Sequence, residues 1–93
     1  MASELVLYVK KNCPWCVAAE RYLDEHGYAY TEIDVLRNYQ AFEHMKRISG
    51  QRYVPTLVVD DKILPDFGPE ELEKFLHKHG ILPSAAIADS PAA

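Results

Sequence analysis

Cysteine is scarce in this chain: two among 93 residues, with a single tryptophan beside them. Two cysteines cannot build the multi-bridge framework of a small secreted scaffold. Long apolar runs are missing too. None approaches the ~18 residues that a membrane-spanning helix needs. The start, "MASELVLYVKK", has no basic opening, and its apolar stretch "LVLYV" is too short for a secretory leader, so a cytoplasmic protein is expected. Positive charge is also short. Lys and Arg total 10 against 14 for Asp and Glu, a formal net charge of −4. That argues against nucleic acid or an anionic membrane surface as the main partner, since both require a basic face. A local basic spot at Lys10 and Lys11 stays compatible with it.

The remainder is ordinary for a globular protein, with 48% hydrophobic and 26% charged residues. A single domain over 1–80 is expected, followed by a tail over 81–93 that has no clear period and is given no function. Ile81 and Leu82 are expected to pack on the last helix. "ELVLYV" (4–9) reads as a buried strand. Pro14 suits a first helical position, and Trp15, Ala18, Ala19, Tyr22 and Leu23 follow helical spacing up to a stop at Gly27. "YAYTEIDV" (28–35) alternates and predicts a second strand. Residues 38–49 place Ala41, Phe42, Met45 and Ile48 on one helical face, ended by Gly50. "VPTLVV" (54–59) and "KILP" (62–65) read as two strands of a tight hairpin around Asp60-Asp61. "GPEELEKFLHKHG" (68–80) is the best-marked helix. Pro69 opens it, Glu70 and Glu71 occupy its first turn, and Lys78 and His79 lie near its negative end. The order is β-α-β-α-β-β-α.

The two cysteines stand three apart in "KKNCPWCVAAERYL" (10–23). A Cys-x-x-Cys pair between a strand and a helix reads as thiol–disulfide redox chemistry. At a helix start, unpaired N–H groups and the helix dipole favour a negative sulfur, and the thiolate is the attacking species. Lys10 adds favourable charge. Cys13 is therefore the expected nucleophile. Cys16, a turn further in, is the cysteine that resolves the mixed disulfide. The other readings are weaker. A bridge between them closes a tiny loop and restrains the unfolded chain little, which makes a poor staple. Zinc needs four ligands, and neither a second cysteine pair nor His26, His44, His77 or His79 supplies them at suitable spacing, so no metal site is expected. Inert buried cysteines remain possible, but pair, proline, strand and helix together favour redox. A second signal is Tyr53-Val54-Pro55-Thr56. Taken alone it reads as a plain trans proline at a strand start.

Together "K-x-x-C-P-W-C" (10–16), "SGQRYVPT" (49–56), the element order and the last helix resemble the glutaredoxin family of the thioredoxin-like superfamily, over about residues 4–79. The resemblance implies an α/β fold with a four-stranded mixed sheet flanked by three helices. It also implies a cis Pro55 beside Cys13. Position by position, it implies that Cys13 attacks and Cys16 resolves, and that Lys10 binds a glutathione carboxylate. Trp15 stands where Tyr or Phe is usual beside the site. The Val54 backbone, next to Tyr53, would pair with the cysteine part of glutathione, and Gln51 or Arg52 would lie near its glycine end. No tightly bound cofactor is implied, and glutathione enters as a co-substrate. The expected protein is a monomeric dithiol–disulfide oxidoreductase acting on protein disulfides or glutathione-mixed disulfides.

The chain also departs from that pattern. Glutathione-dependent members usually carry Gly-Gly and then a small residue and Asp or Ser after the fourth strand. Here Pro65-Asp66-Phe67-Gly68 stands instead, with Asp66 negative where a carboxylate would lie. "D-F-G-P-E-E-L" (66–72) is similar to the redoxins that serve ribonucleotide reductase and take electrons from thioredoxin reductase, although Phe67 also reads simply as core. A redoxin recharged in that way is the nearest alternative. A glutathione-held iron–sulfur carrier is an alternative of another class, less favoured because of Pro14. A thioredoxin-like adaptor without an acidic thiol is a third.

Overall fold

The structure, a computed structural model, describes residues 4–83. Seven elements follow in the expected order: β1 (Leu5–Val9), α1 (Pro14–Glu25), β2 (Thr31–Asp34), α2 (Tyr39–Ser49), β3 (Thr56–Val59), β4 (Lys62–Pro65) and α3 (Pro69–Lys78). The strands form one mixed sheet in the order β2-β1-β3-β4. β1 and β2 run parallel, with Leu7 opposite Glu32. A parallel pair needs a long crossover, and α1 provides it. β3 is antiparallel to both β1 and β4.

Central position explains the unbroken apolar reading of β1. Its alternate side chains face opposite layers, and both layers are filled. Leu5, Leu7 and Val9, with Leu57 and Val59 of β3, meet Ala19 and Leu23 of α1 and Leu72, Phe75 and Leu76 of α3 in the larger core. On the other face Tyr8 packs with Val35, just after β2, and with Met45 of α2, and Val6, Phe42 and Val58 close around them. Both cysteines of the pair belong to the larger core.

Helix ends follow local chemistry. Asn38 caps α2, its side-chain oxygen accepting the Ala41 N–H at 3.0 Å, and Gly50 closes that helix at φ 71°, in the left-handed region glycine adopts freely. Glu71 reaches back to accept the Gly68 N–H at 2.9 Å at the start of α3. β3 and β4 join through Asp60-Asp61, as the hairpin reading expects, with Val59 opposite Lys62.

Two expected strands are shorter than their sequence pattern. The one read over 28–35 is confined to Thr31–Asp34. Tyr28 is drawn out of line into the larger core, where its hydroxyl donates to the Ile81 carbonyl at 2.9 Å. A buried tyrosine hydroxyl needs such a partner, and the bond outweighs the alternation of the local sequence. The strand read from Val54 begins at Thr56, because Pro55 has no N–H for the ladder. Of the two residues expected to pack on the last helix, Ile81 is buried while Leu82 is exposed. The remainder of the expected tail, 84–93, lies outside the described residues.

Candidate active site

The site is built at the junction of β1 and α1. Between them Asn12 takes φ 62°, a left-handed conformation that asparagine tolerates. The chain thus turns into α1, with Pro14 in the first helical turn and Cys13 as the N-cap. The Cys13 sulfur accepts the Cys16 backbone N–H at 3.1 Å. A sulfur thus occupies the place of the usual capping oxygen, where helix N–H groups favour negative charge. Cys13 and Cys16 are joined as a disulfide, with Cα atoms 5.2 Å apart. Their environments differ: Cys13 is 7% exposed and Cys16 1%. The outer sulfur is the one a second molecule can reach.

Val54 lies against this sulfur. The Val54–Pro55 peptide is cis, as the resemblance implied, and the Val54 carbonyl oxygen lies 4.0 Å from Cys13 Sγ. A disulfide sulfur carries no proton, so in this state the approach is a contact. The loop before Pro55 is held by its own side chains. Thr56, fully buried, donates its hydroxyl to the Tyr53 carbonyl at 2.7 Å. Gln51 donates through Nε2 to Thr56 Oγ1 at 3.1 Å and to Ser49 Oγ at 2.9 Å, and its Oε1 accepts the Tyr53 N–H at 2.6 Å. Gln51 therefore shapes the loop from within. Arg52 is the exposed member of the pair expected near a tripeptide's end, with its guanidinium 5.7 Å from the Tyr53 ring centre.

A cleft of about 430 Å³ opens beside the pair, between Trp15, Asp66, Phe67 and the first turn of α3. Trp15 is 61% exposed, yet one ring edge is seated on Gly68: a Cβ there would come within 3.2 Å of the indole and 3.1 Å of Glu71 Oε1. Only glycine fits without moving one of them. Asp66 takes φ 47°, and its N–H donates to the Pro55 carbonyl at 2.9 Å, carrying the β3–β4 ladder one step further toward the site. Phe67 is 3% exposed and belongs to the larger core, so its presence has a packing reason. Glu70 and Glu71 complete an acidic margin to the cleft.

Not all the expected residues share one groove. Trp15, Asp66 and Phe67 line this cleft, and Val54 adjoins Cys13. Lys10 lines a different cleft, beside Cys16, together with Glu20 and Glu32. Sequence reading missed Gly68 as the seat of Trp15, and it missed Glu20 and Glu32 altogether. The Gly-Pro start of α3 signalled a helix boundary but not its neighbour. Two glutamates twelve apart carried no signal. Among the described residues, no group of three or more His, Cys, Asp or Glu side chains converges to hold a metal ion, and no helix is long and apolar enough to cross a membrane.

The family model for glutaredoxin matches residues 5–64, which include both cysteines and Pro55. A glutaredoxin-like 8.6 kDa protein encoded in the rubredoxin operon of Clostridium pasteurianum is 28% identical over 72 residues, covering 77% of this chain and 96% of that one. The glutaredoxin-like protein NrdH of Lactococcus lactis subsp. cremoris is 31% identical over 70 residues, covering 75% and 96%. Among solved structures, the NrdH-redoxin of Escherichia coli superposes with a TM-score of 0.67 at 25% identity, over 76% of this chain and 92% of that one. With a dithiol pair at a helix start, the fold around it and the family match in agreement, the chain belongs to the glutaredoxin family of dithiol–disulfide oxidoreductases.

Proposed function

We propose that this oxidoreductase reduces protein disulfides, or disulfides between a protein and glutathione, through Cys13 as nucleophile and Cys16 as resolving cysteine. The observation that carries the assignment is the Cys16 N–H directed at the Cys13 sulfur, with the second sulfur buried one turn below. In the reduced protein the Cys13 thiolate attacks one sulfur of the substrate disulfide. A Cys13–substrate bond forms, and the other substrate sulfur leaves with the electron pair. Cys16 then attacks Cys13, closing the bridge and releasing the second substrate thiolate. The Val54 backbone, beside Cys13, would pair with an extended substrate segment in the manner of an added strand. Exposed Trp15 and Tyr53 offer apolar contact on either side. Glutathione is assigned as a co-substrate, with no tightly bound cofactor. The chain is assigned to a reducing compartment, the cytoplasm, as a monomer.

One observation favours a second reading for the electron donor. The cleft margin carries Asp66, Glu70 and Glu71. Glutathione would bring its own carboxylates there, and like charges repel. Recharging by thioredoxin reductase avoids that cost. NrdH proteins stand among the relatives, and the Escherichia coli protein is described as having a thioredoxin-like activity profile. Oxidised protein supplied with NADPH and either glutathione plus its reductase, or thioredoxin reductase alone, separates the two. Recharging only with glutathione sinks the second reading. Recharging only with thioredoxin reductase removes glutathione as the electron donor.

A further inference from the structure

The resolving step requires Cys16 to lose a proton from a position with 1% exposure. Beside Cys16 lies an open cleft of about 240 Å³ whose lining includes Lys10, Glu20, Glu32 and Asp34. At about 30 Å³ per molecule, that space takes several waters. Glu20 follows Cys16 by four residues on α1, so both lie on one helix face. Glu32 comes from β2, and the parallel β1–β2 pairing under the α1 crossover brings it to the same lining as Glu20, close enough for the two carboxyls to interact. Asp34, on the same lining, accepts the Leu36 N–H at 2.9 Å through Oδ1.

We propose that Glu20, paired with Glu32, is the proton acceptor for the Cys16 thiol when Cys16 resolves the mixed disulfide on Cys13. The Cys16 proton passes through cleft water to the Glu20 carboxylate. The Cys16 sulfur bonds to Cys13 Sγ as the bond from Cys13 to the substrate sulfur breaks. The substrate leaves as a thiolate with that electron pair and takes a proton from solvent. Glu20 then returns its proton to solvent at the open side of the cleft.

The surroundings suit such an exchange. Burial, the hydrogen bond with Glu32, and repulsion from Glu32 and Asp24 raise the Glu20 carboxyl to about 7. A group that changes hands near the working pH is an effective acceptor. The groups facing it are Arg21, Asp24 and Glu25 on α1, Glu32 and Asp34 on β2, Tyr30 before β2, and Lys10 and Lys11 from the loop after β1.

This inference rests on the dithiol reading, and one experiment keeps the two apart. Reduced full-length protein is mixed with excess 5,5′-dithiobis(2-nitrobenzoate) between pH 5 and 9. The first coloured thiolate reports attack by Cys13, and the second reports closure by Cys16. In the unaltered protein the second rate is expected to rise to a plateau with an inflection near pH 7. Glu20→Gln loses that inflection, runs about tenfold slower at pH 7.5 and keeps the first phase unchanged. Glu32→Gln retains the plateau and moves the inflection to lower pH, because the neighbouring repulsion is gone. A second phase in Glu20→Gln that matches the unaltered protein across this range overturns the proposal and leaves the dithiol cycle standing. A second phase in the unaltered protein whose rate rises in proportion to reagent concentration, as two independently reacting thiols would give, overturns the dithiol cycle itself.

Discussion

The Cys16 N–H and the Cys13 sulfur, 3.1 Å apart, turn a helix cap into a thiolate cradle. An ordinary cysteine thiol titrates near ~8.5, and helix N-termini bring it down to about 3.5–7.5. Thiolate absorbance near 240 nm in Cys16→Ser, followed against pH, is expected to place Cys13 in that lower range. A midpoint at or above the ordinary value would remove the physical basis for Cys13 as nucleophile. Cys13→Ser is expected to abolish activity on every disulfide. Cys16→Ser should retain only turnover of glutathione-mixed disulfides, where a second glutathione can release the first.

Asp66 is expected to discriminate against glutathione. Its backbone lies at φ 47°, so Asn, which tolerates that conformation, is the substitution that removes charge alone. Removing one exposed repulsive charge is worth roughly 0.2–1 kcal/mol, so Asp66→Asn should raise the rate with a glutathionylated peptide by a few-fold at low salt. The gain should shrink at high salt as screening takes over. A rate that falls in Asp66→Asn would show that the carboxylate assists the tripeptide.

The loop that carries Val54 to Cys13 depends on one buried hydroxyl. Thr56→Val keeps the shape but leaves the Tyr53 carbonyl and a Gln51 N–H without their partner. The expected loss is about 1–3 kcal/mol in urea unfolding. The rate with protein disulfides should fall as well, because Tyr53 and Val54 lose their fixed place. Unchanged stability together with full activity would mean that the loop is held from elsewhere.

Glu20 also predicts how stability responds to pH. Its folded pKa, about 7, lies above the ~4.3 of an unfolded glutamate, so between those values the folded chain holds more proton than the unfolded one. Its contribution is whole below the window and is lost as pH rises through 7. Oxidised protein should therefore unfold at lower urea concentration at pH 8 than at pH 5, and Glu20→Gln should flatten that difference. If the substitution leaves the slope intact, another group is responsible.

Much of this was readable beforehand, for identifiable reasons. Helix limits were legible where a residue type does one job: Pro14 and Pro69 at starts, Gly50 at an end. The sulfur pair was legible because two cysteines at that spacing have few other uses. Tyr28 was misread as strand because its partner, Ile81, is fifty-three residues away, and alternation reports only local neighbours. Gln51 looked like a surface contact because the sequence does not show that Ser49, Tyr53 and Thr56 converge on it. Glu20 carried no signal of its own, because only the parallel β1–β2 pairing sets Glu32 near it.

The sheet order has one more implication. Its two outermost strands, β2 and β4, are each four residues long, one bearing Glu32 and Asp34 and the other ending in Pro65. Short, charged or proline-ended margins give a neighbouring molecule little backbone to extend. The flanks of the sheet thus resist stacking one molecule on another into fibrils.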